Sequence, residues 1–350
     1  MSSLMWAPLL EKLTAGEDLA VSEISFAMKE ILTGSASEEE IKSFLIGLKN
    51  KGERAEEVRA LVDVMYQHAT LIDIPDRAVD TVGTGGDGFN TINISTSAAI
   101  VTTAAGARVI KHGNRAASSA SGAADLLEEL GININLDSTA VKECVRKIGI
   151  GFAFAPKFHP AMRFAAPVRK ALGIPTVFNI LGPLANPARP RAVAIGVARS
   201  EMFDLVAQVL ARRGNEGFVF RGIEGLDEIS ISGPSEIIQV YEGQLRKHLF
   251  DPRDIGIETL PIDEIKGGSA KENAEITMRV FAGKDGGARQ AILLNAAASI
   301  AAFKGDFQLP IENQLANGYS LAKSAIDSGK ASELVQRWRD LSNELAKSSL

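Results

Sequence analysis

The chain predicts an α/β fold: a small all-helical N-terminal domain and a large α/β domain whose mostly parallel central sheet is flanked by helices. Three observations predict it. Apolar residues recur at helical spacing through Leu4–Thr70. Beyond Ile74-Pro75, short strand-like runs alternate with helical stretches, the pattern of a parallel sheet with helices on its faces. The apparent strand ends then run into glycine- and hydroxyl-rich loops, where open α/β sheets bind ligands.

In order, Leu4–Thr70 reads as four helices. Ser37 followed by Glu38, Glu39 and Glu40 starts one, Gly34 and Gly52 stop others, and His68 suits a helix C-terminus. Strands are expected at Ala78–Val82, Ala107–Ile110, Ile132–Leu136 and Gly151–Ala155. Helices are expected at Ser95–Ala105, Ser121–Leu130 and Ser138–Ile148. The proline-punctuated helical segment His159–Leu184 leaves the sheet, rejoins the bundle and returns, so a cleft is expected between the two bodies. Arg191–Val197 and Glu216–Arg221 resume the sheet around a helix from Ser200 to Arg213. Ile229–Phe250 reads as strands with turns at Gly233-Pro234 and Glu242-Gly243, and the chain beyond Asn273 as helices, with Ala291–Ala302 buried on all sides. The expected division is 1–72, joined by part of 160–185, against 73–159 and 186–350.

The 350 residues suffice for two subdomains, and 45% hydrophobic with 23% charged residues is an ordinary globular mixture. A net charge of -5 argues against a broad nucleic-acid surface. The single cysteine, Cys144, forms no internal disulfide and suits a reducing compartment. No signal peptide is evident, and the most apolar segment, Ala288–Phe303, is interrupted by Arg289, Gln290, Asn295 and Ser299. The expectation is a cytoplasmic protein without membrane or nucleic-acid partners.

Asp80–Ser97, DTVGTGGDGFNTINISTS, reads as a phosphate-binding loop. Glycines let backbone N–H groups converge on an anion, and a helix N-terminus follows. Gly83, Gly85 and Gly88 also spell a dinucleotide fingerprint, but no Asp or Glu stands between Asp87 and Asp125 to bind a ribose hydroxyl. A second loop, Lys111–Gly131, offers Lys111, His112, Asn114, Arg115 and then Ser118, Ser119 and Ser121, cations and hydroxyls suited to phosphate; Ser is also a favoured helix cap. Asp227-Glu228 is ordinarily a surface pair, but beside two phosphate loops it reads as a shared Mg²⁺ site. In the proline-punctuated segment, Arg163 and Arg169 are candidates to grip a carboxylate. Walker, nucleophile-elbow and zinc patterns do not occur.

These segments, GTGGD at Gly83–Asp87, NIST at Asn93–Thr96, KHGNR through SSxSGxxD at Lys111–Asp125, HPAM through APVRxxLG at His159–Gly173, NxLGPLxNP at Asn179–Pro187 and LDE at Leu226–Glu228, resemble the anthranilate phosphoribosyltransferase family in content and order. The resemblance implies transfer of phosphoribose from phosphoribosyl pyrophosphate to the amine of anthranilate, releasing pyrophosphate, by a homodimer joined through its helical domains. It implies that Gly83, Gly85, Gly86, Asp87, Thr91, Asn93, Ser95, Thr96, Lys111 and Ser119 hold the phosphoribosyl pyrophosphate. Gly83, His112, Asn114, His159, Met162, Arg169 and Gly182 would line the anthranilate site. Ser95, Asp227 and Glu228 would coordinate Mg²⁺, two ions per subunit, and no dedicated acid or base is expected. A pyrimidine-nucleoside phosphorylase shares the architecture, and a non-catalytic nucleic-acid-binding relative is a third reading. Asp227-Glu228, Asn114 and Arg169 favour the transferase over the first, and intact motifs with negative net charge disfavour the second.

Overall fold

Helices α1 (Trp6–Thr14), α2 (Val21–Thr33), α3 (Glu38–Lys51) and α4 (Ala55–Gln67) form the N-terminal bundle of the computed structural model, which describes residues 5–116 and 120–348. The boundaries follow local chemistry. Ser37 Oγ accepts from Glu40 N at 3.3 Å while Glu40 accepts from Ser37 N at 2.7 Å, a reciprocal cap that starts α3. Gly34 ends α2 at φ 74°, and His68 is the C-terminal cap of α4.

The α/β portion follows as β1 (Val79–Gly83), α5 (Ile94–Ala104), β2 (Val109–Gly113), α6 (Ala123–Glu129), α7 (Ser138–Ile148), β3 (Ile150–Phe154) and α8 (Ala155–Phe158). After a 3₁₀ turn at Pro160–Phe164 come α9 (Ala166–Leu172), α10 (Phe178–Leu184), β4 (Ala192–Gly196), α11 (Ser200–Arg212) and β5 (Glu216–Gly222). Then come the β6 (Ser235–Tyr241) and β7 (Gln244–Phe250) hairpin and the helices α12 (Ala270–Phe281), α13 (Gly287–Lys304), α14 (Ile311–Asp327) and α15 (Lys330–Ser348). The strand order is β3-β2-β1-β4-β5-β6-β7, with the first five parallel and the hairpin antiparallel. Connections run outward in opposite directions from β1 and β4, so these neighbours flank a topological switch point.

Alternation along β4 divides two layers. Ala192 and Ala194 join the core that includes α5 and α13, whereas Val193 and Ile195 join the core shared by α11 and the bundle. Val168 of α9 and Phe178, Ile180 and Leu181 of α10 also belong to the bundle-side core, and α9 packs on α3. The segment after β3 therefore crosses to the bundle and returns to β4. Helix α13 is buried on all sides because alanines cover it and permit close approach by α5 and α14.

Two strand expectations fail for the same reason. Ile132, Ile134 and Leu136 are buried at alternate positions, but the segment joins no sheet: Asn133 N donates to Ser342 Oγ at 3.0 Å and Asn135 N to Asn133 Oδ1 at 2.9 Å. Side chains there satisfy the groups a ladder would use. Ile229–Pro234 likewise precedes the first strand of the hairpin, with Ser230 N bonded to Ser235 Oγ at 2.9 Å. The expected Glu242-Gly243 turn is present, with φ 50° and 74° as a tight hairpin requires. Among the described residues no helix is long and apolar enough to cross a membrane.

Candidate active site

Gly83 ends β1 directly opposite Gly196, the last residue of β4. A Cβ at Gly83 would lie 2.3 Å from Asp227 Oδ2, and one at Gly196 would lie 1.7 Å from the Asp227 carbonyl oxygen. The paired glycines thus leave a notch at the switch point, and Asp227 fills it. From there Asp227 Oδ2 accepts from Gly85 N at 2.6 Å, tying the loop after β5 to the loop after β1.

The first loop leaves β1 through Gly85, Gly86 and Gly88 at φ 67°, 81° and 79°, with Asn90 also left-handed at φ 51°. Gly85 and Gly86 have open space where a side chain would project. Asp87 accepts from Phe89 N at 3.2 Å. Thr91 pairs with Lys266, and Ile92 N donates to Ile265 O at 2.9 Å, which pins the far end of the loop. Asn93 caps α5, and its side chain is committed to scaffolding: Nδ2 donates to Ser121 O at 3.0 Å, while Oδ1 accepts from Ser121 Oγ at 3.0 Å and Asn273 Nδ2 at 2.9 Å. Thr96 is buried in the first turn of α5.

Ser95 joins three elements. Its N–H donates to Glu228 Oε1 at 3.0 Å, and its hydroxyl accepts from Lys111 Nζ at 3.3 Å. Lys111 is only 1% exposed and also donates to Thr81 O at 2.6 Å, so its ammonium sits beneath the loop. Burial lowers its pKa against the opposing pull of Asp80, Glu228 and Asp227. Burial and Asp87 push the Asp227 carboxyl up to about 7; burial and Asp227 raise Glu228 well above the usual carboxylate range. Two buried carboxylates that resist ionisation together are relieved by a cation.

The second loop enters α6 with Gly122, not Ser121, as its cap. Asp125 accepts from Gly122 N at 2.9 Å and Ala116 N at 3.0 Å, closing the loop and freeing Ser121 for its bond to Asn93. Arg115 is paired with Asp125 and Glu128, which withdraws it from the expected phosphate-binding cations. Asn114 is exposed at the loop's start, and Ser118 and Ser119 lie outside the described residues.

A second group forms around two histidines. His112 Nδ1 lies 2.9 Å from Gly182 O and His159 Nε2 lies 2.8 Å from Ala185 O; carbonyls only accept, so both ring nitrogens carry protons. The rings are 5.2 Å apart, and buried His112 Nε2 has no hydrogen-bond partner among the described residues. Burial, then His159, pushes the His112 pKa down to about 3; burial also lowers that of His159. Met162 follows in the 3₁₀ turn, its N–H bonded to His159 O at 3.1 Å. A Cβ at Gly182 would meet no atom within 4 Å. Arg169 lies over Phe178 of α10, the helix that carries Gly182, its guanidinium carbon 5.8 Å from the ring centre, with no carboxylate partner among the described residues. Burial lowers its pKa. Arg163, the other candidate, is exposed and stacks on Phe164.

The sequence matches the family model described as glycosyl transferase family, a/b domain, over residues 75–332, and the helical bundle domain of that family over residues 7–69. Anthranilate phosphoribosyltransferase of Rhodococcus jostii (strain RHA1) is 52% identical over 343 residues, covering 98% of this chain and 95% of that protein. The chain belongs to the anthranilate phosphoribosyltransferase family. It is an enzyme of the phosphoribosyltransferase class. The crystal structure of anthranilate phosphoribosyltransferase from Thermus thermophilus superposes with a TM-score of 0.89 at 37% identity, over 96% of this chain and 99% of that one. The Saccharomyces cerevisiae enzyme in complex with PRPP and Mg superposes with a TM-score of 0.88 at 30% identity, over 98% and 99%. The same yeast enzyme in complex with 4-fluoroanthranilate gives 0.85 at 28%, over 97% and 99%.

Two residues that build this phosphoribosyltransferase site carry no motif signal, Asn295 and Asn273, and two motif residues, Asp80 and Asn186, act as its supports. Asn295 of α13 accepts from Ile229 N at 2.8 Å and donates to Ile229 O at 3.2 Å, fixing the backbone that follows Glu228. Asp80 accepts from His112 N at 3.2 Å and Asn186 Nδ2 at 2.8 Å, and Asn273 holds Asn93. The available signal was polarity out of place: Asn295 interrupts an apolar helix, and Asp80 an apolar strand.

Proposed function

We propose that this site transfers phosphoribose from phosphoribosyl pyrophosphate to the anthranilate amine, giving N-(5-phosphoribosyl)anthranilate and pyrophosphate in tryptophan biosynthesis. The carrying observation is the carboxylate pair at the switch point, with Asp227 notched onto Gly83 and Gly196 and bonded to Gly85 N, and Glu228 bonded to Ser95 N. Gly83, Gly85, Gly86, Asp87, Thr91, Asn93, Ser95, Thr96, Lys111 and Ser119 form the phosphoribosyl pyrophosphate site. Within it the open glycine backbone approaches the phosphates, while Asn93 and Lys111 act from behind as scaffold and buried charge.

Among the described residues no three His, Cys, Asp or Glu side chains converge on a metal position. Two carboxylates and the Ser95 hydroxyl leave much of a coordination sphere to water and phosphate oxygens, which suits Mg²⁺. On this reading Asp227, Glu228 and Ser95 would hold the metal, two ions per subunit. Bound there, Mg²⁺ neutralises charge on the departing pyrophosphate.

Displacement at the anomeric carbon requires an acceptor lone pair, in-line placement and stabilisation of the leaving group. The aryl amine of anthranilate is neutral near pH 7, so no strong base is needed and positioning supplies most of the catalysis. Arg169, without a carboxylate partner among the described residues, grips the anthranilate carboxylate; Gly83, His112, Asn114, His159, Met162 and Gly182 complete the acceptor wall. Functionally the chain divides into 1–72 with part of 160–185, and 73–159 with 186–350. It works as a cytoplasmic homodimer joined through the helical body.

Incubation with phosphoribosyl pyrophosphate, Mg²⁺ and anthranilate should release pyrophosphate in the amount of anthranilate consumed. Arg169→Ala should raise KM for anthranilate about 10- to 100-fold with kcat little changed. No pyrophosphate release by folded protein would overturn the reaction, and an unchanged KM would remove Arg169 from the acceptor site.

A further inference from the structure

Away from the glycine loops, the seam between α4 and the turn after α10 holds a second concave region. A groove of about 690 Å³ and a smaller cavity of about 250 Å³ share Tyr66, Arg189 and Arg213 in their linings. Four arginines line the groove, and two are neutralised: Arg59 lies 3.7 Å from Asp63, and Arg212 pairs with Glu56. Arg189 and Arg213 have no carboxylate partner among the described residues.

These two guanidinium groups are organised around one buried aromatic ring. Arg213 donates to Tyr66 Oη at 2.7 Å and to Leu184 O, and its guanidinium carbon lies 5.1 Å from the ring centre. The Arg189 guanidinium lies 4.8 Å from the same centre. Its backbone is left-handed, φ 51°, in a turn closed by Arg189 N to Asn186 O at 2.9 Å. A long side chain is disfavoured in that region, so the turn holds Arg189 at a conformational cost. Each guanidinium carbon lies about 5 Å from the Tyr66 ring centre, and Ala69 and Leu71 add apolar lining to the groove.

We infer that Tyr66, Arg189 and Arg213 form an anion-binding site for a small carboxylate- or phosphate-bearing metabolite, separate from the substrate loops and coupled to the acceptor side. Planar guanidinium forks without acidic partners match both anions, and Tyr66 fixes the forks in place. The coupling runs through a short segment. Leu184 O receives Arg213, while Gly182 O, two residues earlier, meets His112 Nδ1. Asn186, at the start of the Arg189 turn, donates to Asp80, which accepts from His112 N. An anion that shifts Arg189 and Arg213 therefore bears on the placement of His112. The coupling part rests on the acceptor role proposed above; the binding part does not.

The test is arginine-selective phenylglyoxal labelling mapped by peptide mass spectrometry, with inorganic phosphate in one arm, succinate in another, and chloride at matched ionic strength as control. At an anion concentration ten times its Kd, modification of Arg189 should slow about tenfold, while exposed Arg163 is unaffected. The effective arm identifies the ligand group, and protection no greater than with chloride overturns the site. The protecting anion should shift KM for anthranilate about fivefold in the parent and leave Arg189→Gln unmoved. Protection with KM unchanged in both proteins overturns the coupling.

Discussion

Asp227 and Glu228 are buried side by side, with Asp227 accepting from Gly85 N and Glu228 from Ser95 N. Lys111 supplies charge from beneath without reaching either carboxylate in a hydrogen bond; its donors go to Thr81 O and Ser95 Oγ. The pair thus resists full ionisation until a cation balances it. His112 stays neutral because burial and His159 push its pKa down to about 3. The sign for stability follows: between about pH 6.5 and 3 the unfolded chain binds a proton that the folded imidazole does not, so His112 lowers stability as pH falls. Asp80 acts oppositely, because burial raises its carboxyl to about 6 and the folded state keeps its proton longer as pH rises. His112→Asn separates the two. Its unfolding free energy relative to the parent should improve by about 1–3 kcal/mol between pH 7 and pH 4.5, read from urea titrations at each pH. A gap that does not change with pH contradicts the neutral, buried imidazole.

At the scale of elements, the site is a meeting of loops whose strands and helices fix them from below. β1 and β4 end in paired glycines, and α13 places Asn295 under the carboxylate loop. Gly196→Ala tests the notch: its Cβ would fall 1.7 Å from the Asp227 carbonyl, and backbone must move. Overpacking there should cost about 1–3 kcal/mol in urea unfolding and displace Asp227, so that turnover falls further than the stability loss explains. Gly182→Ala is the matched control, since its Cβ meets nothing within 4 Å and its stability should remain near that of the parent. A Gly196→Ala protein with parental stability and turnover would remove the notch from the account.

At the scale of the whole molecule, the helical bundle and the alternating strands and helices were legible in the sequence, because each leaves a periodic trace. Ile132–Leu136 misled because buried alternation looks the same whether Ser342 or a neighbouring strand satisfies the backbone. Which motif residues face open space and which serve as scaffold was not legible. Asn93 faces Ser121 and Asn273, and Arg115 faces Asp125 and Glu128, partners between 10 and 180 residues distant that local spacing cannot reveal. Asn295 reads in the sequence only as a break in an apolar segment, because it acts through one backbone position 66 residues away. What joins these scales is the carboxylate pair at the switch point. The most direct measurement is anthranilate fluorescence followed with phosphoribosyl pyrophosphate at limiting Mg²⁺, for the parent and for Asp227→Asn/Glu228→Gln. The parent should consume anthranilate, and the double variant should be slower by about 100-fold or more while keeping its unfolding midpoint. Turnover by the folded double variant within a few-fold of the parent would contradict the assignment of the switch-point carboxylates.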